Sequence, residues 1–142
     1  MSSNNPGQTQ IQLPDSIERT AQEGFPKQSL ENAVLAGSLD GTGLYFSLLR
    51  GYPGYMSAPR YYATERLCIV VLDIWWVNSG DDFDPTNCAP TSPGSFIRRV
   101  AGTRHYDGVI ASGAEPTVIA ICGMAPVDVK LVDPRQSGWR KV

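Results

Sequence analysis

The chain has 142 residues, with 12 Lys and Arg against 14 Asp and Glu and a formal net charge of -2. That length suits one domain around one core, residues 1–142, and the charge supplies no cationic field for a polyphosphate backbone, so nucleic acid is not an expected partner. Charged residues are sparse at 18%, and 14 Gly with 11 Pro indicate many turns between short elements rather than long solvated helices.

The longest apolar run, residues 67–77, is broken by Asp73 and falls far short of the roughly 20 residues of a membrane-crossing helix, so no membrane partner is expected. Residues 1–12 are polar and carry neither a basic n-region nor an apolar h-region. With no signal peptide, the expected location is the cytoplasm, or an effector's destination reached by a non-classical route. Residues 1–8 read as a flexible tail, and Ile11 and Leu13 alternate with Gln10 and Gln12 as a short half-buried strand over 9–13, closed by Pro14.

Asp15 with Glu18 three residues on predicts an N-capped helix over 16–23, ended by Gly24 with Phe25 tucked beneath it. Ser29 repeats the logic. Leu30, Ala33 and Val34 stand at helical spacing, and Gly37 stops this second short helix. After the turn at 41–43 a strand is expected over 44–49, followed by a loop over 51–59 and one turn of helix over 61–65. The near-continuous apolar run 67–77 predicts a central strand, and residues 78–95 form a long loop without periodicity. Strands follow over 96–101, 106–110, 117–122 and 127–132, with a partly loose tail from Asp133. The fold class so expected is α+β, with short N-terminal helices ahead of a strand-rich core.

Neither a P-loop, nor a dinucleotide-binding glycine pattern, nor a nucleophile elbow occurs. The single histidine, His105, reads as a polar residue at a turn. Cys68 and Cys122 sit in apolar runs as small core side chains, and Cys88 is a loop thiol. Three cysteines and one histidine without paired spacing fall short of a zinc set, so no metal is expected.

The order of segments carries a resemblance. Gly43-Leu44-Tyr45-Phe46-Ser47, then Ala58-Pro59-Arg60-Tyr61-Tyr62-Ala63, then Tyr106-Asp107-Gly108-Val109-Ile110 and Glu115 ahead of a strand resemble the ADP-ribosyltransferase superfamily from about residue 17 to about residue 132. The resemblance implies a split-sheet fold that takes NAD as substrate. It makes Gly43, Tyr45 and Ser47 one wall of the NAD site and Tyr62, with Tyr61 beside it, the second ring against a cationic nicotinamide. Glu115 becomes the catalytic carboxylate that stabilises charge developing on the ribose. Where the family carries a His or Arg on its first strand, this chain has Gln8, Gln10 and Gln12, so Gln10, or the nearby Arg19, is left to grip NAD.

The function implied is a toxin- or effector-like domain that transfers ADP-ribose from NAD to a protein target or to water, with a neutralising partner protein as a further expectation. The alternative is a catalytically inactive module of the same fold that binds a protein through Tyr52, Pro53, Tyr55 and Met56 beside the loop 81–95.

Overall fold

The computed structural model describes residues 7–142. The tail expected over 1–8 therefore falls largely outside the described residues. Among the described residues thirteen strands run in the order β1 (Thr20–Ala21), β2 (Leu30–Ala36), β3 (Gly43–Gly51), β4 (Tyr55–Ser57), β5 (Arg60–Tyr62), β6 (Arg66–Leu72), β7 (Trp75–Ser79), β8 (Ala89–Thr91), β9 (Phe96–Arg99), β10 (His105–Val109), β11 (Thr117–Ala125), β12 (Val129–Leu131) and β13 (Trp139–Lys141). The described helical pieces are two 3-10 turns, Pro14–Ser16 and Pro85–Asn87. The α+β expectation is thereby corrected to an all-β fold.

Every described strand pairing is antiparallel. One sheet has the order β1-β2-β3-β11-β6-β9, and the other runs β12-β5-β10-β4-β13, with β7 on β10 and β8 on β7. Packed face to face, they form a flattened barrel of the jelly-roll kind. Leu49, Val70, Ile119 and Ile121 of the first sheet meet Trp75, Val109 and Trp139 of the second in the main core.

Both expected helices are absent for identifiable reasons. In the 3-10 turn Pro14–Ser16 the cap position is Leu13, and Asp15 lies inside the turn without reaching a first-turn amide. Leu30, Ala33 and Val34 belong to β2, where ladder bonds to β3 satisfy the backbone and a bulge between Val34 and Ala36 disturbs the strict alternation. The pairing partner outweighs a three-and-four spacing that suits a helix. Gly24 does adopt the left-handed conformation, at φ 81°, but it serves a turn rather than a helix end.

The run 67–77 is two strands. Asp73 takes φ 60° and breaks it, sending β6 into one sheet and β7 into the other. The one helical turn expected over 61–65 is replaced by β5 and a bend. Residues 9–13 are coil, and the tail is anchored by Trp139, which is 2% exposed. The stretch 78–95 is tied down as well: the Tyr106 hydroxyl receives the Asp84 amide at 2.9 Å and the Asn78 side chain at 2.8 Å, and Cys88 packs with Tyr106 and Met56. No helix among the described residues is long and apolar enough to cross a membrane.

Candidate functional site

The barrel interior changes character along its axis, and the strand register shows how. Tyr45 of β3, Gly123 of β11, Arg66 of β6 and Arg99 of β9 are direct neighbours across the first sheet, so they form one row on its inner face. Two residues along, the row is Ser47, Ile121, Cys68 and Ile97; two further, it is Leu49, Ile119 and Val70. Charge is thus confined to one end.

The second sheet answers the polar row with Ser57 of β4, Arg60 and Tyr62 of β5, and His105 and Asp107 of β10. Asp107 meets Arg99 across the interior at 2.7 Å and Arg60 at 3.3 Å, and its amide donates to the Ser57 hydroxyl at 3.0 Å. Arg99 also donates to the Asn78 carbonyl at 3.3 Å. The Arg66 guanidinium lies 4.1 Å from the centre of the Tyr62 ring, that of Arg60 lies 5.6 Å from it, and the same ring stacks on His105 at 5.7 Å. Gly123 makes room for the arrangement, because a Cβ there would stand 2.8 Å from the Tyr45 hydroxyl, whose ring crosses that strand toward Arg66.

The charges follow from these contacts. Burial alone would push the Asp107 carboxyl up, but Arg99 and Arg60 outweigh it and hold the group well below the usual carboxylate range. Burial, helped by Arg99 and Arg60 and opposed by Asp107, lowers His105 to about 4. The imidazole is therefore neutral at neutral pH. Its Nδ1 lies 3.0 Å from the Thr103 carbonyl oxygen and so carries the proton, which leaves Nε2 as a bare acceptor. That Nε2, and the Nε atoms of Arg60 and Arg66, are buried without a partner among the described residues. Burial raises the Tyr45 phenol, partly offset by the charge of Arg66.

A metal ion does not suit these donors. Zinc and its neighbours want several imidazoles, thiolates or free carboxylates at one point. Here there is one imidazole, the one carboxylate is clamped by two guanidiniums, and a third guanidinium stands alongside. No group of three or more His, Cys, Asp and Glu able to hold a metal occurs among the described residues.

The residues singled out in the sequence divide into two sets. Tyr45, Ser47 and Tyr62 are buried in the barrel, at 2%, 2% and 8% exposure. Gly43 begins β3 with φ 89°. Tyr61 lines an open cleft of about 600 Å³ with Asp81, Gly102 and Arg104 instead of joining Tyr62. Gln10 is exposed coil, and Arg19 lies near Arg50, Glu31 and Tyr52. Glu115 is exposed in the bend before β11. Tyr45 pairs with Gly123 six residues beyond the start of that strand, about 20 Å along it, so the carboxylate is not brought to the two rings. Arg66 and Arg99 fall outside the motifs quoted above, Arg60 and Asp107 stand inside them without a role of their own, and His105, expected at a turn, lies buried in β10. The sequence signal for Arg66 is its place at the same alternation as Cys68 and Val70, hence an inward-facing charge.

No family model and no curated protein matches the chain. Solved structures do. The polyketide cyclase RemF from Streptomyces resistomycificus superposes with a TM-score of 0.72 at 12% identity, covering 89% of this chain and 87% of its own. A cupin-2 domain from Rhodospirillum rubrum gives 0.64 at 15% identity, over 90% of this chain and 82% of that one. The chain has the cupin fold. KdgF from Halomonas sp. is also similar, at 0.59 and 15% identity over 80% of this chain and 93% of that one. This cupin barrel overturns the resemblance to the ADP-ribosyltransferases, their split sheet and the NAD-dependent transfer drawn from them. The matching segments were short, and in the barrel Gly43 to Ser47 is part of a nine-residue central strand while Tyr106 to Val109 lies wholly within β10.

Proposed function

We propose that this chain is a small-molecule-binding cupin whose ligand contacts the polar end of the barrel. One observation carries the reading: Arg60, Arg66 and His105 each keep a buried polar atom without a partner among the described residues at the charged end of the barrel, whose other end is closely packed with apolar side chains and holds a further such atom in Trp139 Nε1. Buried polar atoms are nearly always paired, and an unpaired one costs about 1–3 kcal/mol, so a cluster of them marks a place where something else supplies the partner. The fold neighbours give the reading company. They include a protein named a polyketide cyclase, one named a sugar phosphate isomerase and one named a DMSP lyase.

Binding is better supported than acid–base catalysis. A general base works best with a pKa near the operating pH, whereas His105 is lowered to about 4 and holds a proton poorly at neutrality. Its Nε2 is suited to accepting a hydrogen bond.

Ligand-observed NMR on a panel of small acids, sugars and neutral aromatic compounds tests the reading. Binders are expected to lose at least about tenfold in affinity with His105→Ala and Tyr62→Ala, a loss of about 1.4 kcal/mol. Glu115→Ala, exposed and just before the end of β11 remote from the polar row, is expected to leave both affinity and stability unchanged to within about 0.5 kcal/mol. Binders whose affinity follows Glu115 and ignores His105 would place the site elsewhere.

A further inference from the structure

The proposed site has a sign. Three guanidiniums, those of Arg60, Arg66 and Arg99, share the polar end with a single carboxylate, Asp107. Arginine does not give up its proton in proteins, and His105 is neutral, so the cluster carries two more positive than negative charges. The other nearby acids do not correct this. Glu65 pairs with Arg98 on the exposed side of β6 and β9, and Asp81 pairs with Arg104 at the surface.

Arg66 is the residue left over. Asp107 is taken by Arg99 and Arg60, and Arg66 faces Arg99 directly across the β6–β9 ladder, a like-charge pairing that destabilises a sheet. The Tyr62 ring offers Arg66 a cation–π contact and the Tyr45 phenol a hydrogen bond, which leave the Nε donor unused and the guanidinium without a carboxylate in an ion pair with it. A neutral sugar or aromatic ligand would supply hydrogen bonds without removing the excess charge, and a metal cation would add to it. Guanidinium pairs best with planar or tetrahedral oxyanions, whose oxygens accept from adjacent N–H groups.

Resting on the binding function proposed above, we infer that the ligand of this barrel is a small oxyanion, a carboxylate or a phosphate ester, held by Arg66 together with Arg60 and Arg99, with a hydroxyl or N–H of the same molecule donating to His105 Nε2. The ligand chemistry is set by the protein's surplus of donors and its one free acceptor.

The test uses the full chain at constant ionic strength set with sodium chloride. Thermal unfolding and titration calorimetry are followed with inorganic phosphate, lactate and glycerol 3-phosphate, each acid beside an uncharged counterpart, lactamide for lactate and glycerol for its phosphate. An oxyanion of the right size is expected to raise Tm with the logarithm of its concentration above Kd, by about 5–10 °C at a hundredfold excess over Kd, while its neutral counterpart does not. Phosphate alone and the two organic acids separate a free inorganic ion from an organic ligand, and either result supports the oxyanion class.

Arg66→Gln is expected to weaken the anion at least tenfold and to leave the ligand-free Tm unchanged or higher, since it removes an uncancelled buried charge. Arg66→Lys keeps the charge and is expected to retain part of the affinity even if the Gln variant folds poorly. Neutral compounds that bind as tightly as the acids, undiminished in Arg66→Gln, would overturn the oxyanion inference while sparing the barrel site. Acids and neutral compounds that all leave Tm unmoved would remove both.

Discussion

At Gly123 the absence of a methyl group decides where the Tyr45 hydroxyl lies. An added Cβ would stand 2.8 Å from that oxygen and 3.0 Å from the ring carbon beside it, distances at which something must shift. The ring is buried, with Arg66 on the strand beyond, so it has little freedom to withdraw. Gly123→Ala is therefore expected to destabilise by about 1–3 kcal/mol through overpacking, read as a lower urea midpoint with an unchanged slope. Trimming the ring should relieve it: in Tyr45→Leu the same substitution is expected to cost less, and the double-mutant cycle gives the coupling. A cycle with no coupling would show that the ring and the glycine do not meet.

One left-handed residue divides the longest apolar run between two sheets. Asp73 at φ 60° is tolerated because its short carboxylate accepts the next amide, that of Ile74, at 2.9 Å. Asn makes the same bond and also accepts this conformation, so Asp73→Asn is expected to be nearly neutral. Asp73→Val, branched at Cβ and without the acceptor, is expected to cost about 1–2 kcal/mol. Equal urea midpoints for the two variants would refute the importance of this bend. The same element shows what the sequence could and could not disclose. Alternating or continuous apolar residues located β3, β6, β9, β10 and β11 to within a few positions, because strand period is a local property. The break at Asp73, the pairing that makes β2 a strand and the anchoring of β13 by Trp139 depend on partners distant in the chain. The site followed the same rule. Tyr45 and Tyr62 attract notice as aromatic residues in short motifs, whereas Arg66 and Arg99 matter only because the ladder sets them side by side and Asp107 is delivered from the opposite sheet.

For the molecule as a whole, one buried histidine links folding to pH. His105 is neutral in the fold, lowered to about 4 by burial and by Arg99 and Arg60, and it titrates at about its ordinary 6.5 once unfolded. Between those values the unfolded chain binds a proton that the folded one refuses, so stability rises with pH across this window and falls as pH is lowered through it. The full contribution is present above about 6.5, and the loss by pH 4 amounts to about 3 kcal/mol, a large part of a typical domain's 5–15 kcal/mol. Asp107 is ionised in both states over the upper part of that window and begins to subtract below about pH 5, since its folded value lies beneath the carboxylate range and its unfolded value near 3.8. Urea unfolding at pH 7.5, 5.5 and 4.5 should show a steady decline in the parent chain. In His105→Gln, which lacks the titrating ring, the decline from 7.5 to 4.5 is expected to be shallower by about the histidine's share. An equal decline in both proteins would assign the acid sensitivity to other groups and remove His105 as its source.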